Sequence, residues 1–258
     1  MPSISENTPQ QFLVFRLWGP MTSWGDIAVG ERRGTWSRPS RSAILGLVAS
    51  ALGIERSNGS AHDRLEAGLG FAVRIDHPGR PMRDYHTAQS PGARKGLRWH
   101  TRRDELDPSN DLNTILSERS YMTEMDASIV LWQRPDTVAI DVAGIAERLS
   151  KPVFGPFLGR KSCPLGLPLR PYLLDAPSPL AALLAHDARP VEERMILTGL
   201  NRPRRETREL WMDEDDARTF GLESLVRERT TRRDRIRDRP RWLFSDRNEV
   251  LIDTGRTP

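Results

Sequence analysis

The order of elements in the sequence predicts an α+β fold compatible with a ferredoxin-like, RRM-type sheet. Three observations carry that expectation. Short apolar runs at 12–18, 71–75 and 128–132 read as strands, capped segments of helical periodicity follow the first and the last, and a long polar stretch interrupts the middle.

Phe12 to Trp18 is rich in strand formers and stops at Gly19-Pro20, so a buried first strand is expected. Residues 21–37 form a loop with Trp24, Trp36 and glycines at 25, 30 and 34. Ser40 is placed to cap a helix in which Ile44, Leu47, Val48, Ala51 and Leu52 recur at helical spacing, and Gly53 ends it. Gly46, Ala49, Ser50 and Gly53 make a second stripe, of small residues, that permits close approach to a sheet. Phe71, Val73 and Ile75 alternate with Ala72 and Arg74, the pattern of a half-buried strand. Residues 81–87 read as another strand and Ser128 to Trp132 as a buried one. The stretch 88–118 has almost no core-forming pattern, which marks an inserted functional arm or an unstructured segment. Asp141 can cap a helix through Val142, Ile145, Ala146 and Leu149, and Ser178-Pro179 opens one through Leu180, Leu183 and Leu184. Residues 11–175 are thus expected as the domain and 176–258 as a partly flexible extension. Within the latter, 202–241 carries 13 arginines and ten acids, the composition of a solvated surface with RNA contact as the alternative.

Composition narrows the function classes. Mean hydropathy is −0.55 and no apolar run approaches the ~20 residues of a membrane span, so no membrane association is expected. The first residues lack the regions of a signal peptide, and the single cysteine, Cys163, leaves no internal disulfide; a cytoplasmic location is expected. The five histidines have no ligand spacing, no phosphate-loop or dinucleotide glycine pattern occurs, and no cofactor or metal is expected. Asp213-Glu-Asp-Asp216 reads as an exposed turn.

Net charge is only +4, but the basic residues are 36 arginines and three lysines, and arginine presents a planar fork to phosphates. A GC-rich genome gives the same bias, so position matters more than count. Residues 74–104 hold eight cations against three aspartates, whereas 106–150 hold three arginines against eight acids. That asymmetry suits a polyanion on one face and a protein neighbour on another.

Two stretches pair an apolar element with a glycine loop carrying hydroxyls and guanidiniums. The first runs from Gly19 through Gly25 to Arg38-Pro-Ser-Arg-Ser42; the second is Gly159-Arg160-Lys161-Ser162. Backbone amides and hydroxyls at such bends can meet phosphates, with Arg38 and Arg41 adding charge. Trp24 or Trp36 can stack on an unpaired base, or Trp24 can pack on the helix instead. Cys163 has no visible activating base and reads as a packing residue. In the arm, Arg94, Lys95, Arg98, Arg102 and Arg103 interleave with Trp99 and His100, a hook suited to single-stranded RNA.

At these residues the chain resembles a known family. Leu13-Val-Phe-Arg-Leu with Gly19-Pro-Met-Thr-Ser-Trp-Gly25, Arg38-Pro-Ser-Arg-Ser-Ala-Ile-Leu-Gly-Leu-Val, Arg83-Asp-Tyr-His-Thr87, Glu118-Arg-Ser-Tyr121, Asp126-Ala-Ser-Ile-Val-Leu131 and Gly159-Arg-Lys-Ser-Cys-Pro-Leu run in family order over about two-thirds of the chain. The pattern is similar to the CasD subunits of type I-E CRISPR Cascade, in the fifth CRISPR-associated protein family of the RAMP superfamily. The resemblance implies an RRM-like domain with an inserted β-hairpin thumb at about 88–118. It also implies a non-catalytic RNA-binding subunit that grips the 5′ handle of the CRISPR RNA (crRNA) and caps the backbone filament in antiviral defence. Implied partners are the crRNA, the backbone subunit CasC and the large subunit CasA, with target DNA met only indirectly; RNA cleavage falls to CasE. The residues expected at RNA are Met21, Ser23, Trp24, Arg38, Ser40, Arg41, Ser42, His86, Arg94, Lys95, Arg98, Arg102, Arg103, Arg119, Gly159, Arg160, Lys161 and Ser162. Two other classes compete. Tyr85, His86, Lys95 and His100 would serve a metal-free endoribonuclease of CRISPR repeat RNA, although no Lys-His pair is adjacent. A purely structural adaptor would work through the acidic 106–150 stretch.

Overall fold

Each apolar run identified above becomes a strand, and the strands assemble mainly into one sheet. The computed structural model describes residues 9–25, 30–93, 96, 98–189, 209–238, 241 and 243–254. In chain order the strands are β1 (Gln10–Trp18), β2 (Met21–Thr22), β3 (Trp24–Gly25), β4 (Arg32–Arg33), β5 (Thr35–Trp36), β6 (Leu69–His77), β7 (Arg80–Pro91), β8 (Leu112–Thr123), β9 (Asp126–Gln133), β10 (Tyr172–Ala176), β11 (Glu209–Asp213), β12 (Val226–Asp238) and β13 (Leu243–Asp253). The helices are α1 (Arg41–Leu52), α2 (Gly59–Gly68), α3 (Arg102–Glu105), α4 (Val142–Ser150), α5 (Pro179–Asp187) and α6 (Glu214–Thr219). Seven strands form an antiparallel sheet in the order β10-β1-β9-β6-β11-β13-β12.

The period of two decides which layer each strand residue joins. Leu13, Phe15 and Leu17 of β1, with Phe71, Val73 and Ile75 of β6 and Ile129 and Leu131 of β9, meet α1 and α4 in one core. Phe12 and Val14, with Ala72, Val130 and Trp132, face the second core beneath α5 and α6. The expectation of a half-buried β6 therefore fails: Ala72 is fully buried and Arg74 is 8% exposed. The reason is α5, whose Asp187 accepts from Arg74 at 2.6 Å, closing the face that Arg74 was expected to show to water. Among the described residues no helix is long and apolar enough to cross a membrane.

Three helix starts follow the expected capping chemistry. Ser40 accepts from the Ala43 amide, Asp141 from Gly144 and Ser178 from Ala181. Gly53 ends α1 with φ +74°, as a left-handed cap requires. The small-residue stripe of α1 works differently from expectation: it seats a strap of chain, not a sheet. The Val153 and Phe154 amides donate to the Ala51 and Ser50 carbonyls at 3.0 and 3.1 Å, and a Cβ on Gly53 would lie 2.9 Å from Val153 Cγ1.

The arm is an antiparallel hairpin, β7 with β8, in continuous register from Arg80↔Thr123 to Pro91↔Leu112. It starts near residue 80, earlier than the polar composition marks, because the strand expected at 81–87 is its first leg. Most of β7 is exposed, so these strands have little to bury beyond each other.

The expected boundary at 175 does not separate two sheets. Strand β11 pairs with β6, β13 with β11 and β12 with β13, so residues 209–253 complete the sheet that 10–176 begins. The charge of this stretch is largely internal. Asp213 lies 2.7 Å from Arg247, 2.5 Å from Arg134 and 3.6 Å from Arg41; Glu249 pairs with Arg38 at 2.6 Å and Arg247 at 3.0 Å; Asp234 pairs with Arg247 at 2.6 Å. Asp213-Glu-Asp-Asp216 is accordingly no simple exposed turn, since Asp213 and Asp216 are buried against Arg134. The acidic stretch 106–150 is also partly consumed at home: Glu118 pairs with Arg83, Asp126 with Arg16, and Asp141 caps α4.

Candidate nucleic-acid interface

The two glycine loops, about 140 residues apart in the sequence, touch in the fold. The Ser23 amide donates to Leu158 O at 3.0 Å, and Ser23 Oγ donates to Ser120 O at 3.1 Å. Gly159 has φ +88°, and a Cβ there would sit 1.8 Å from the Ser23 carbonyl oxygen. Only glycine allows both that backbone angle and that approach. Together the loops and α1 border a cleft of about 550 Å³ whose lining includes Gly25, Ser40, Ser42, Ser50 and Gly159, with Leu47, Phe157 and Phe244 as apolar wall. Two loops, one helix and a residue of the C-terminal hairpin therefore share a single concave surface.

Arg160 fixes this junction. Its guanidinium donates to Ser120 O at 3.2 Å and Arg33 O at 2.9 Å and lies 4.8 Å from the Tyr121 ring centroid. Arg160 is thereby committed to tying the second loop to β4 and β8, while Lys161 and Ser162 project beyond it, exposed. Cys163 is fully buried in the core, and burial pushes its thiol pKa up, which fits packing and disfavours a thiolate.

Several expected contacts are spent inside the protein. Arg41 is fully buried, bonded to Glu66 Oε1 and to the Glu66 and Leu69 carbonyls at 2.7 Å each. Arg38 is 7% exposed, bonded to Glu249 and stacked 3.5 Å from the Trp211 centroid. Neither guanidinium is free for a phosphate, because the carboxylates of residues 66, 213 and 249 arrive from distant strands and helices to neutralise them. Trp24 is 1% exposed with Nε1 2.9 Å from Met125 Sδ, so it packs and does not stack on a base. Trp36 is half-buried, with the Arg38 and Arg232 guanidiniums 5.7 and 4.7 Å from its centroid. The start of α1 is occupied as well: Arg41 N donates to Asp234 Oδ2 at 2.9 Å and Ala43 N to Ser40 Oγ at 3.1 Å. A carboxylate already sits where a phosphate was expected. Met21 is half-buried and packs against the core, whereas Ser42 remains in the cleft lining.

The hairpin offers the open cations. Arg119 of β8 shares one face of the hairpin with His86 of β7, since the register sets Asp84 opposite Arg119 and Ser117 opposite His86. Among the described residues neither Arg98, Arg103, Arg119 nor Lys161 has an ion-pair partner. Arg102, in contrast, pairs with Glu105 at 2.5 Å and donates to Gln89 O, so it braces the arm's tip. His86 is exposed, 3.7 Å from Asp84. Arg94 and Lys95 lie outside the described residues. Two residues escaped the sequence reading: Arg32 and Arg33 form β4, which runs parallel to β8 with Arg33 beside Arg119, and both are exposed. Their signal was present, as an arginine pair between Gly30 and Gly34 in the first loop.

The architecture places the chain in a class before it places it in a family. It superimposes on a chain titled "CRISPR RNA-guided surveillance complex" with a TM-score of 0.57, covering 93% of this chain and 89% of that one at 24% identity. A second solved structure, "Crystal structure of Cas protein", gives a TM-score of 0.52 over 94% of this chain and 95% of that one at 22% identity. The fold is thus one shared with Cas proteins. The family model described as CRISPR-associated protein (Cas_Cas5) matches residues 12–248, and the chain belongs to that family. It is 33% identical over 189 residues to the CRISPR system Cascade subunit CasD of Escherichia coli (strain K12), covering 69% of this chain and 78% of that protein.

Proposed function

We propose that this protein is the crRNA-binding subunit of a type I-E Cascade complex, that it holds the 5′ handle and that it caps the backbone filament without cleaving RNA. The observation that carries the reading is the convergence of both glycine loops on one cleft beside a hairpin arm on which Arg98, Arg103 and Arg119 have no ion-pair partner among the described residues. Strands β10-β1-β9-β6, the fourth, first, third and second of a split βαβ set, match the strand order of a ferredoxin-like, RRM-type sheet. In that sheet the face away from α1 and α4 lies under α5, so the strand of RNA must run along the loops and the hairpin instead.

The revised contact set follows from what remains unpaired. Ser42 lines the cleft with a hydroxyl shared with Ser40 at 3.1 Å, Gly25 allows close approach, and Lys161, Arg98, Arg103, Arg119, Arg32 and Arg33 offer charge. The hairpin, as the thumb, fixes where handle ends and spacer begins. CasC and CasA are the neighbouring subunits in this reading, target DNA is met indirectly, and the assembly works in the cytoplasm.

Phosphate contacts release counterions, so the salt dependence of binding counts them. Changing Arg98, Arg103, Arg119 and Lys161 together to alanine should lower the slope of log affinity against log salt for single-stranded handle RNA by about 3, at ~0.7 per contact. Circular dichroism should show the fold unchanged, since among the described residues none of the four has an ion-pair partner to lose. An unaltered slope overturns the assignment of these cations. Discrete cleavage of repeat RNA by the purified protein, lost in His86→Ala, would replace it with the endoribonuclease reading.

A further inference from the structure

A second concavity lies on the other side of the strap from the cleft, and its chemistry differs. It has a volume of about 500 Å³ and ten lining residues, among them four leucines and three prolines, Leu167 and Pro168 included. Its only charged lining residue is Arg170. Val153 and Phe154, 51% and 45% exposed, lie on the same strap, and Lys151 sits between the lining residues Ser150 and Pro152. Pro156 lines both concavities, so the two share a wall.

The charge of this region is one-sided. From 148 to 174 the chain carries Arg148, Lys151, Arg160, Lys161 and Arg170 and not one acid, in a protein with 35 acidic residues. Arg160 is spent on backbone carbonyls, but Arg148, Lys151 and Arg170 are exposed, and among the described residues none of the three has an ion-pair partner. Elsewhere among the described residues 14 arginines have a carboxylate within 4.0 Å; these three cations have none.

We propose that this groove docks a short segment of another protein that combines apolar anchors with acidic flanks. Leucine and proline walls gain by removing apolar side chains from water, and the cationic rim favours anionic over cationic flanks. A nucleic-acid strand fits poorly, because the lining is mostly leucine and proline: three of its ten residues are prolines without an amide proton, no aromatic ring is present for stacking, and the cations lie mainly at the rim. The proposal is independent of the RNA reading, since the groove shares no charged residue with that contact set.

The test uses the full chain and four fluorescent probes: a peptide of leucine and phenylalanine anchors with glutamate flanks, the same peptide with lysine for glutamate, the same with serine for its apolar residues, and single-stranded oligouridine RNA. Anisotropy should show the acidic–apolar peptide bound at least about tenfold more tightly than either peptide control. Lys151→Glu with Arg170→Glu should reverse the preference between glutamate and lysine peptides, and Leu167→Asp should abolish binding of both. The charge-reversal variant leaves the apolar walls intact, so it remains informative if Leu167→Asp fails to fold. Indifference to peptide charge, binding unchanged in both variants, or displacement of the peptide by the RNA would overturn the proposal. Self-association of the chain that disappears in Arg170→Glu would assign the groove to a second copy and overturn it equally.

Discussion

Replacing Gly159 with valine is expected to be the most damaging single change at the cleft. The backbone there has φ +88°, and the new Cβ would fall 1.8 Å from the Ser23 carbonyl oxygen, a main-chain atom that cannot rotate away. Strain at such an angle and overpacking each cost about 1–3 kcal/mol, so a loss of roughly 3–5 kcal/mol is expected. For a chain of this size that corresponds to a fall of roughly 6–20 °C in Tm. The Ser23–Leu158 contact would open and the two loops would part, so handle RNA binding should fall with it. Gly25→Ala is the control: nothing lies within 4 Å of its Cβ and its φ is not positive, so Tm should stay where it was. A Gly159→Val protein with unchanged Tm would show that the two loops are not held as described.

The second large effect is expected at Asp213, far from the cleft in sequence but joined to it through Arg41. Asp213→Asn keeps the shape and deletes the charge that buried Arg41 and Arg247 and half-buried Arg134 share. Removing one member of a buried ion network typically costs about 3–5 kcal/mol, because the partners stay buried without compensation. Urea denaturation at neutral pH should register that loss. The pH dependence has a definite sign. Burial alone would raise the Asp213 pKa, but Arg41, Arg247 and Arg134 overcome it and hold the group below its ordinary value. A depressed folded pKa contributes stability above the unfolded value of about 3.9 and loses it as pH falls through the folded one. The gap between wild type and Asp213→Asn should therefore narrow as pH drops from 7 to about 3. Asp216 is pushed up by burial and in part by the Asp213 charge, so the two proteins are compared in an Asp216→Asn background, where that second titration is absent. A gap that stays constant to low pH would mean that Asp213 is not the ionised hub.

The same network explains why reading arginines from the sequence misled. Arg232 is pulled by burial to about 10 despite Asp234 and Glu249, and its guanidinium donates to the Arg38 and Pro39 carbonyls at 3.2 Å. Strand β12 thus props the loop that precedes α1, and Asp234 reaches the first amide of that helix. What looked like a phosphate-binding helix start is closed by the protein's own C-terminal hairpin. Arg38 and Arg41 serve the cleft by holding its walls, and the handle, in the reading proposed above, must find its cations on β4, β8 and the exposed end of the second loop.

Local chemistry in the sequence determined the pieces. Ser40, Asp141 and Ser178 cap their helices and Gly53 stops α1, because a hydroxyl or carboxylate three residues before an amide, or a glycine at positive φ, acts within one turn of chain. The apolar runs became strands for the same short-range reason, and the glycines at 25 and 159 marked the loops that line the cleft. Tertiary structure alone decided which guanidiniums face water. Arg38 meets Glu249 across 211 residues and Arg41 meets Asp234 across 193, separations at which no periodicity signals a partner. It also decided that residues 209–253 finish the sheet: the apolar triplets Leu210-Trp211-Met212 and Val250-Leu251-Ile252 are short and set among dense charge, and nothing local says that β11 pairs with β6.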